Sequence, residues 1–124
     1  MTPASVLIVE DESLVRMSAA DELRAVGFSV FEAADYDEAL AQLAGHPEID
    51  VLFTDVQLSG SMDGLTLTRT LTATRPDLNL IVTSGRHRPR DTDLPDRATF
   101  VPKPYQIDTV AQLIARMAAG FGAN

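Results

Sequence analysis

The chain has 124 residues, 45% of them apolar, and a formal net charge of −8. That is enough for one domain with a sizeable core, expected to span residues 1–124, and leaves little room for a second. The acidic balance argues against direct nucleic-acid binding, which rests on phosphate neutralisation by Lys and Arg, and the absence of cysteine excludes disulfides, thiol catalysis and cysteine-built zinc sites.

The elements alternate in type along the chain. Val6-Leu7-Ile8-Val9 is a short continuous apolar run, the mark of a strand buried on both faces. Val15, Ala19, Leu23 and Val26 then recur at helical spacing, with Gly27 as the stop. Phe28-Ser29-Val30-Phe31 reads as a second strand, and Asp35 with Glu38 has the spacing of a capping box opening a second helix that ends near Gly45. Val51-Leu52-Phe53-Thr54 is a third strand, followed by a helix from about Asp63-Gly64 to Thr74, before Arg75-Pro76. Leu80-Ile81-Val82-Thr83 and Thr99-Phe100-Val101 are strands four and five, and Val110, Leu113, Ile114 and Met117 line one face of a last helix. Such alternation predicts an α/β fold: an open, doubly wound, five-stranded parallel sheet with helices on both faces. No apolar run reaches the roughly 18 residues of a membrane span, and Met1-Thr2-Pro3-Ala4-Ser5 lacks a signal-peptide pattern, so a cytoplasmic location with no membrane partner is expected.

Open parallel sheets carry their chemistry beyond the carboxyl ends of the strands. Glu10, Asp11 and Glu12 follow strand one, Asp55 follows strand three, Ser84 and Gly85 follow strand four, and Lys103-Pro104 follows strand five. Three carboxylates (Glu10, Asp11, Asp55), a hydroxyl and an ammonium therefore meet on one edge. Carboxylates so close repel one another, and a hard divalent cation relieves that repulsion. Mg²⁺ suits two or three carboxylates, a carbonyl and several waters, and it neutralises phosphoryl oxygens during in-line transfer. A carboxylate can serve as the covalent nucleophile, with Lys103 and the Ser84 hydroxyl as donors to the remaining phosphoryl oxygens. One aspartate after one strand is usually only a helix cap or turn residue. The signal lies in all four strand ends agreeing.

Those stretches resemble the receiver domain of two-component response regulators. They are Val6-Leu7-Ile8-Val9-Glu10-Asp11-Glu12, Thr54-Asp55-Val56 with Met62-Asp63-Gly64, Val82-Thr83-Ser84-Gly85 and Val101-Pro102-Lys103-Pro104-Tyr105. The resemblance implies a flavodoxin-like strand order 2-1-3-4-5. It implies Glu10 and Asp11 as metal acids, Asp55 as phosphoacceptor and metal ligand, and the Gln57 carbonyl as a further ligand for Mg²⁺. It also implies Lys103 as the family's lysine, Phe100 as the switch aromatic and a cis Lys103-Pro104 bond. The switch hydroxyl is Ser84 or Thr83; Ser84 is preferred because the small Gly85 follows it. The implied role is a signalling switch, catalysing only its own phosphorylation and dephosphorylation. The implied phosphodonor is a sensor histidine kinase or histidine phosphotransfer protein, with output through a downstream protein target or phosphotransfer.

Several residues depart from the family pattern. The loop Val56-Gln57-Leu58-Ser59-Gly60-Ser61-Met62-Asp63-Gly64 is one residue longer than usual and carries Ser59 where proline is common, and Phe100 lacks a phenolic hydroxyl. Between strands four and five, the stretch from Arg86 to Ala98 contains Pro89, Pro95 and one large aliphatic residue, Leu94, so a reduced or irregular fourth helix is expected there. Arg86, Arg88 and Arg90 would then lie on a loop near Asp55. His46 and His87 stand in expected loops without the setting of a phosphodonor histidine. Two other classes compete. A small-molecule phosphatase with an aspartate nucleophile would place that nucleophile in an Asp-x-Asp pair after strand one, and a flavin carrier would need a phosphate loop where Glu10-Asp11-Glu12 would repel it.

Overall fold

Strands and helices alternate through the computed structural model, which describes residues 4–55, 64–84 and 98–119. The described elements are β1 (Ser5–Val9), α1 (Ser13–Val26), β2 (Ser29–Ala33), α2 (Tyr36–Gly45), β3 (Val51–Asp55), α3 (Gly64–Thr74), β4 (Asn79–Ser84), β5 (Ala98–Pro102) and α4 (Ile107–Ala118). The five strands form one parallel sheet in the order β2-β1-β3-β4-β5, as expected. Every residue of β1 and β3 is buried, whereas the edge strands β2 and β5 are partly open. That is why the central strands read as unbroken apolar runs.

Alternate residues along the strands feed two cores. Val6, Ile8, Phe53 and Ile81 pack with Ala20 and Leu23 of α1 and with Val110 and Ile114 of α4 on one face. Leu7, Val9, Leu52 and Leu80 pack with Leu43 of α2 and with Leu67 and Leu71 of α3 on the other. Truncating one such leucine to alanine costs about 2–5 kcal/mol, against about 1 kcal/mol for losing a helix cap, so the two cores dominate the scaffold.

The caps nevertheless fix where the elements end. Gly27 has φ +112°, and its N–H donates to the Arg24 carbonyl while that of Phe28 donates to the Leu23 carbonyl, closing α1 as the sequence predicts. Asp35 Oδ1 accepts from the Glu38 N–H at 2.9 Å. The expected box closes one residue early, because Glu38 Oε1 accepts from the Ala34 N–H at 2.9 Å rather than from that of Asp35. β2 starts at Ser29 instead of Phe28 and extends to Ala33, where its carbonyl accepts from the Glu10 N–H at 3.0 Å. Asp55 and Ser84 are the last residues of β3 and β4 rather than residues following them. The Lys103-Pro104 peptide is cis. Residues 56–63, with Gln57 and Ser59, and residues 85–97, with the expected irregular connection, lie outside the described residues.

Candidate functional site

The parallel register brings the carboxyl ends of β1, β3, β4 and β5 to one edge of the sheet. Asp55 ends β3 beside Thr83 of β4, and Ser84 is paired with Pro102 of β5, one residue before Lys103. The Lys103 N–H donates to the Ser84 carbonyl at 3.0 Å, which extends the β4–β5 ladder and aims the lysine stem back across the sheet. Its ammonium ion-pairs with Asp55 Oδ2 and lies 3.4 Å from Glu10 Oε1. Glu10 Oε2 accepts from the Glu12 N–H at 3.0 Å.

Glu10 and Asp55 are almost closed to solvent, at 7% and 6% exposure. Burial is the main cause that pushes the Glu10 carboxyl above the usual carboxylate range. Its hydrogen bond from Glu12 opposes this, Asp11 and Asp55 add to it, and Lys103 opposes it. For Lys103 burial acts downward, but the hydrogen bond and charge of Asp55, followed by those of Glu10, outweigh it and raise the ammonium pKa. Tyr105, next to the cis proline, stacks edge-on against Phe53 with centroids 5.3 Å apart, and burial pushes its phenol up.

Two buried carboxylates against one ammonium leave the pocket with an excess of negative charge, so the donor set fits a hard cation. Asp11 stands beside Glu10 but is exposed, and no group of three acidic or histidine side chains is gathered at ligand spacing among the described residues. The sequence-predicted residues therefore divide. Lys103 contacts both Asp55 and Glu10, Asp11 is exposed beside Glu10 in the chain, Ser84 is buried at the strand end, and Gln57 falls outside the described residues.

The two hydroxyls of β4 face opposite ways. Thr83 lies on the face of Ile81, Phe53 and Asp55, while Ser84 lies on the face of Val82, whose register partner is Phe100. Ser84 thus shares a face with the aromatic residue, and Thr83 shares one with Asp55. Thr83 is 3% exposed, and its Oγ1 has no hydrogen-bond partner among the described residues. An orphaned buried hydroxyl costs about 1–3 kcal/mol, so Thr83→Val should stabilise the fold by about 1 kcal/mol. Urea unfolding checks this; a lowered midpoint would mean that the hydroxyl does bond in solution.

Sequence reasoning missed Arg16. Its Nη1 donates to the Glu10 carbonyl at 2.9 Å and its Nε to Glu32 Oε1 at 3.3 Å. Only the β1–β2 register, which seats Glu32 against Ile8, could have revealed the pairing.

An open sheet of this order, with an acidic pair after β1, an aspartate closing β3 and a lysine following β5, defines a phosphoacceptor switch of the two-component type. The chain belongs to the response regulator receiver domain family, whose model matches residues 6–115. It is 38% identical to the sensor kinase CckA of Brucella abortus, over 92% of this chain and 12% of that protein. It is 34% identical to the response regulator MprA of Mycobacterium sp. (strain KMS), over 94% of this chain and 50% of the regulator. It is 32% identical to the C4-dicarboxylate transport transcriptional regulatory protein DctD of Rhizobium meliloti, over 90% and 25%. The chain thus spans half or less of these curated relatives. The crystal structure of the receiver domain from the hybrid histidine kinase CckA superposes with a TM-score of 0.78 at 36% identity, covering 92% of this chain and 98% of that one. A receiver protein from Sinorhizobium medicae WSM419 reaches 0.84 at 18% identity, over 94% and 95%, and shares the fold. The family is a signalling domain rather than a classical enzyme, which sets aside both the phosphatase and the flavin carrier.

Proposed function

We propose that the chain is a single receiver domain over residues 1–124 that takes a phosphoryl group onto Asp55 from the phosphohistidine of a sensor histidine kinase or histidine phosphotransfer protein. The observation that carries this reading is the buried Asp55 carboxylate at the end of a central strand, ion-paired to Lys103 and facing Glu10. In the transfer, an Asp55 oxygen attacks phosphorus in line, the new P–O bond forms as the P–N bond breaks, and the leaving imidazole takes a proton from solvent. Lys103 turns from Asp55 to a phosphoryl oxygen, a short move for an ammonium on a flexible stem. The Ser84 hydroxyl donates to another, and its shift on the face it shares with Phe100 carries the signal. Mg²⁺, held by Glu10, Asp11, Asp55 and the Gln57 carbonyl, would supply positive charge to the phosphoryl oxygens.

The donor's approach is supported by a groove of about 360 Å³ lined by Leu14, Val15, Ser18, Glu22, Tyr105 and Ile107. An adjoining hollow includes Lys103 and Pro104, and Leu14 is 81% exposed at the groove's edge, so an apolar helix seated there would reach the site. A cytoplasmic setting belongs to the same proposal, as does output to a downstream protein. Among the described residues no helix is long and apolar enough to cross a membrane.

Intact mass after incubation with acetyl phosphate and Mg²⁺ tests the assignment. One base-labile phosphoryl group should appear and map to Asp55. A phosphoryl group on any other residue of the wild-type chain would refute it.

A further inference from the structure

We infer that Arg16 is a positioning residue for the acidic pair: it orients the peptide unit that joins Glu10 to Asp11 and so determines how both carboxylates are presented to a cation. The inference rests on the metal-binding reading above.

The turn that leaves β1 is held at three points. The Glu10 N–H donates to the Ala33 carbonyl of β2 at 3.0 Å, and the Glu12 N–H donates to the Glu10 carboxylate at 3.0 Å. The third point is the Glu10 carbonyl, bound by Arg16 Nη1 at 2.9 Å. That carbonyl belongs to the Glu10–Asp11 peptide, so the guanidinium fixes the plane from which the Asp11 side chain departs. Arg16 is itself held from behind. Its Nε donates to Glu32 Oε1 at 3.3 Å, while Glu32 Oε2 accepts from Arg24 Nη2 at 3.3 Å and the Glu32 carbonyl accepts from Gln42 Nε2 at 2.9 Å. The Arg16 side chain is 18% exposed, with little room to swing.

Docking of α1 does not need this link. Ala19, Ala20 and Leu23 already bury the helix against the sheet. What the link adds is direction. One planar fork spans the Glu10 carbonyl and the Glu32 carboxylate, a geometry that a lysine cannot reproduce. It also brings a positive charge to the backbone of two adjoining acids without occupying their carboxylates.

The test is Mg²⁺ titration followed by amide chemical shifts, with urea unfolding of the same proteins. Arg16→Lys should weaken Mg²⁺ binding on the order of ten-fold, as loss of a partner that orients metal ligands does. Glu32→Gln should weaken it in the same direction but less. Without metal, amide exchange at Asp11 should quicken in Arg16→Lys. Arg75→Lys is the matched control. Arg75 also straps a carbonyl, that of Ile49 at 2.9 Å, but at the opposite end of β3, and the change should leave Mg²⁺ affinity unaltered. If Asp11→Asn weakens Mg²⁺ binding while Arg16→Lys does not, the positioning role is overturned and the metal site stands. If Asp11→Asn itself leaves affinity unchanged, the metal reading fails, and this inference with it. Equal weakening by Arg75→Lys would reduce the effect to general loosening and would also overturn the role.

Discussion

Asp55→Asn should reduce phosphoryl uptake from acetyl phosphate to background while the protein stays folded. An amide lacks the anionic oxygen that attacks phosphorus, and among the described residues the Lys103 ammonium contacts Asp55 and Glu10 rather than the exposed Asp11 and Glu12. The stability change should stay within about 1 kcal/mol, because Lys103 keeps its contact with Glu10 and the amide oxygen still accepts a hydrogen bond. Intact mass and urea unfolding of the variant beside the wild type check both halves. Labelling that persists at the wild-type level would remove Asp55 from the role; labelling lost only together with the fold would show that the substitution acted through stability.

How far the site could be read from sequence depended on whether a feature was local or set by register. Val6-Leu7-Ile8-Val9 and Val51-Leu52-Phe53 were legible because strands buried on both faces carry apolar side chains on both. Convergence of Glu10, Asp55 and Lys103 was legible because parallel connections bring all carboxyl ends to one edge. The strand limits were less so. Thr54 with Asp55 and Thr83 with Ser84 are polar and buried inside their strands, so apolar patterning ends two residues before the hydrogen bonding does. The direct Lys103–Asp55 pair was not legible, since it depends on the Ser84–Lys103 hydrogen bond that aims the stem. Nor was Arg16, which reads as one more charge on an amphipathic helix until β2 brings Glu32 opposite it. Both misses concern long side chains whose targets lie on another element.

Lys103→Met should destabilise the protein at neutral pH by about 1–3 kcal/mol, the range for leaving a buried charged group without its partner. Methionine keeps most of the apolar stem, so the loss reports on charge rather than packing. Glu10 and Asp55 would then face each other without the ammonium that both contact. The sign with pH follows from the two shifts. The Lys103 pKa is raised above 10.5 in the folded state, so its contribution is fully present below that value and is lost only as pH rises through the folded pKa. The Glu10 pKa is raised above 4.5, so the fold favours its protonated form and loses stability as pH climbs from 4.5 through the raised value. Without Lys103 that penalty grows, because the one neighbour that favours the Glu10 anion through its charge has gone. The gap between variant and wild type should therefore be widest near neutrality and should narrow as pH falls toward the ordinary carboxylate range. Urea unfolding at about pH 4, below the ordinary glutamate value, and at about pH 7.5 measures it. A gap that is the same at both would mean that Lys103 stabilises through its stem alone. If Lys103 also carries the response, Lys103→Met should still accept phosphoryl at Asp55 but lose the accompanying amide shifts around Ser84 and Phe100, since the donor that ties the phosphoryl group to β5 is missing.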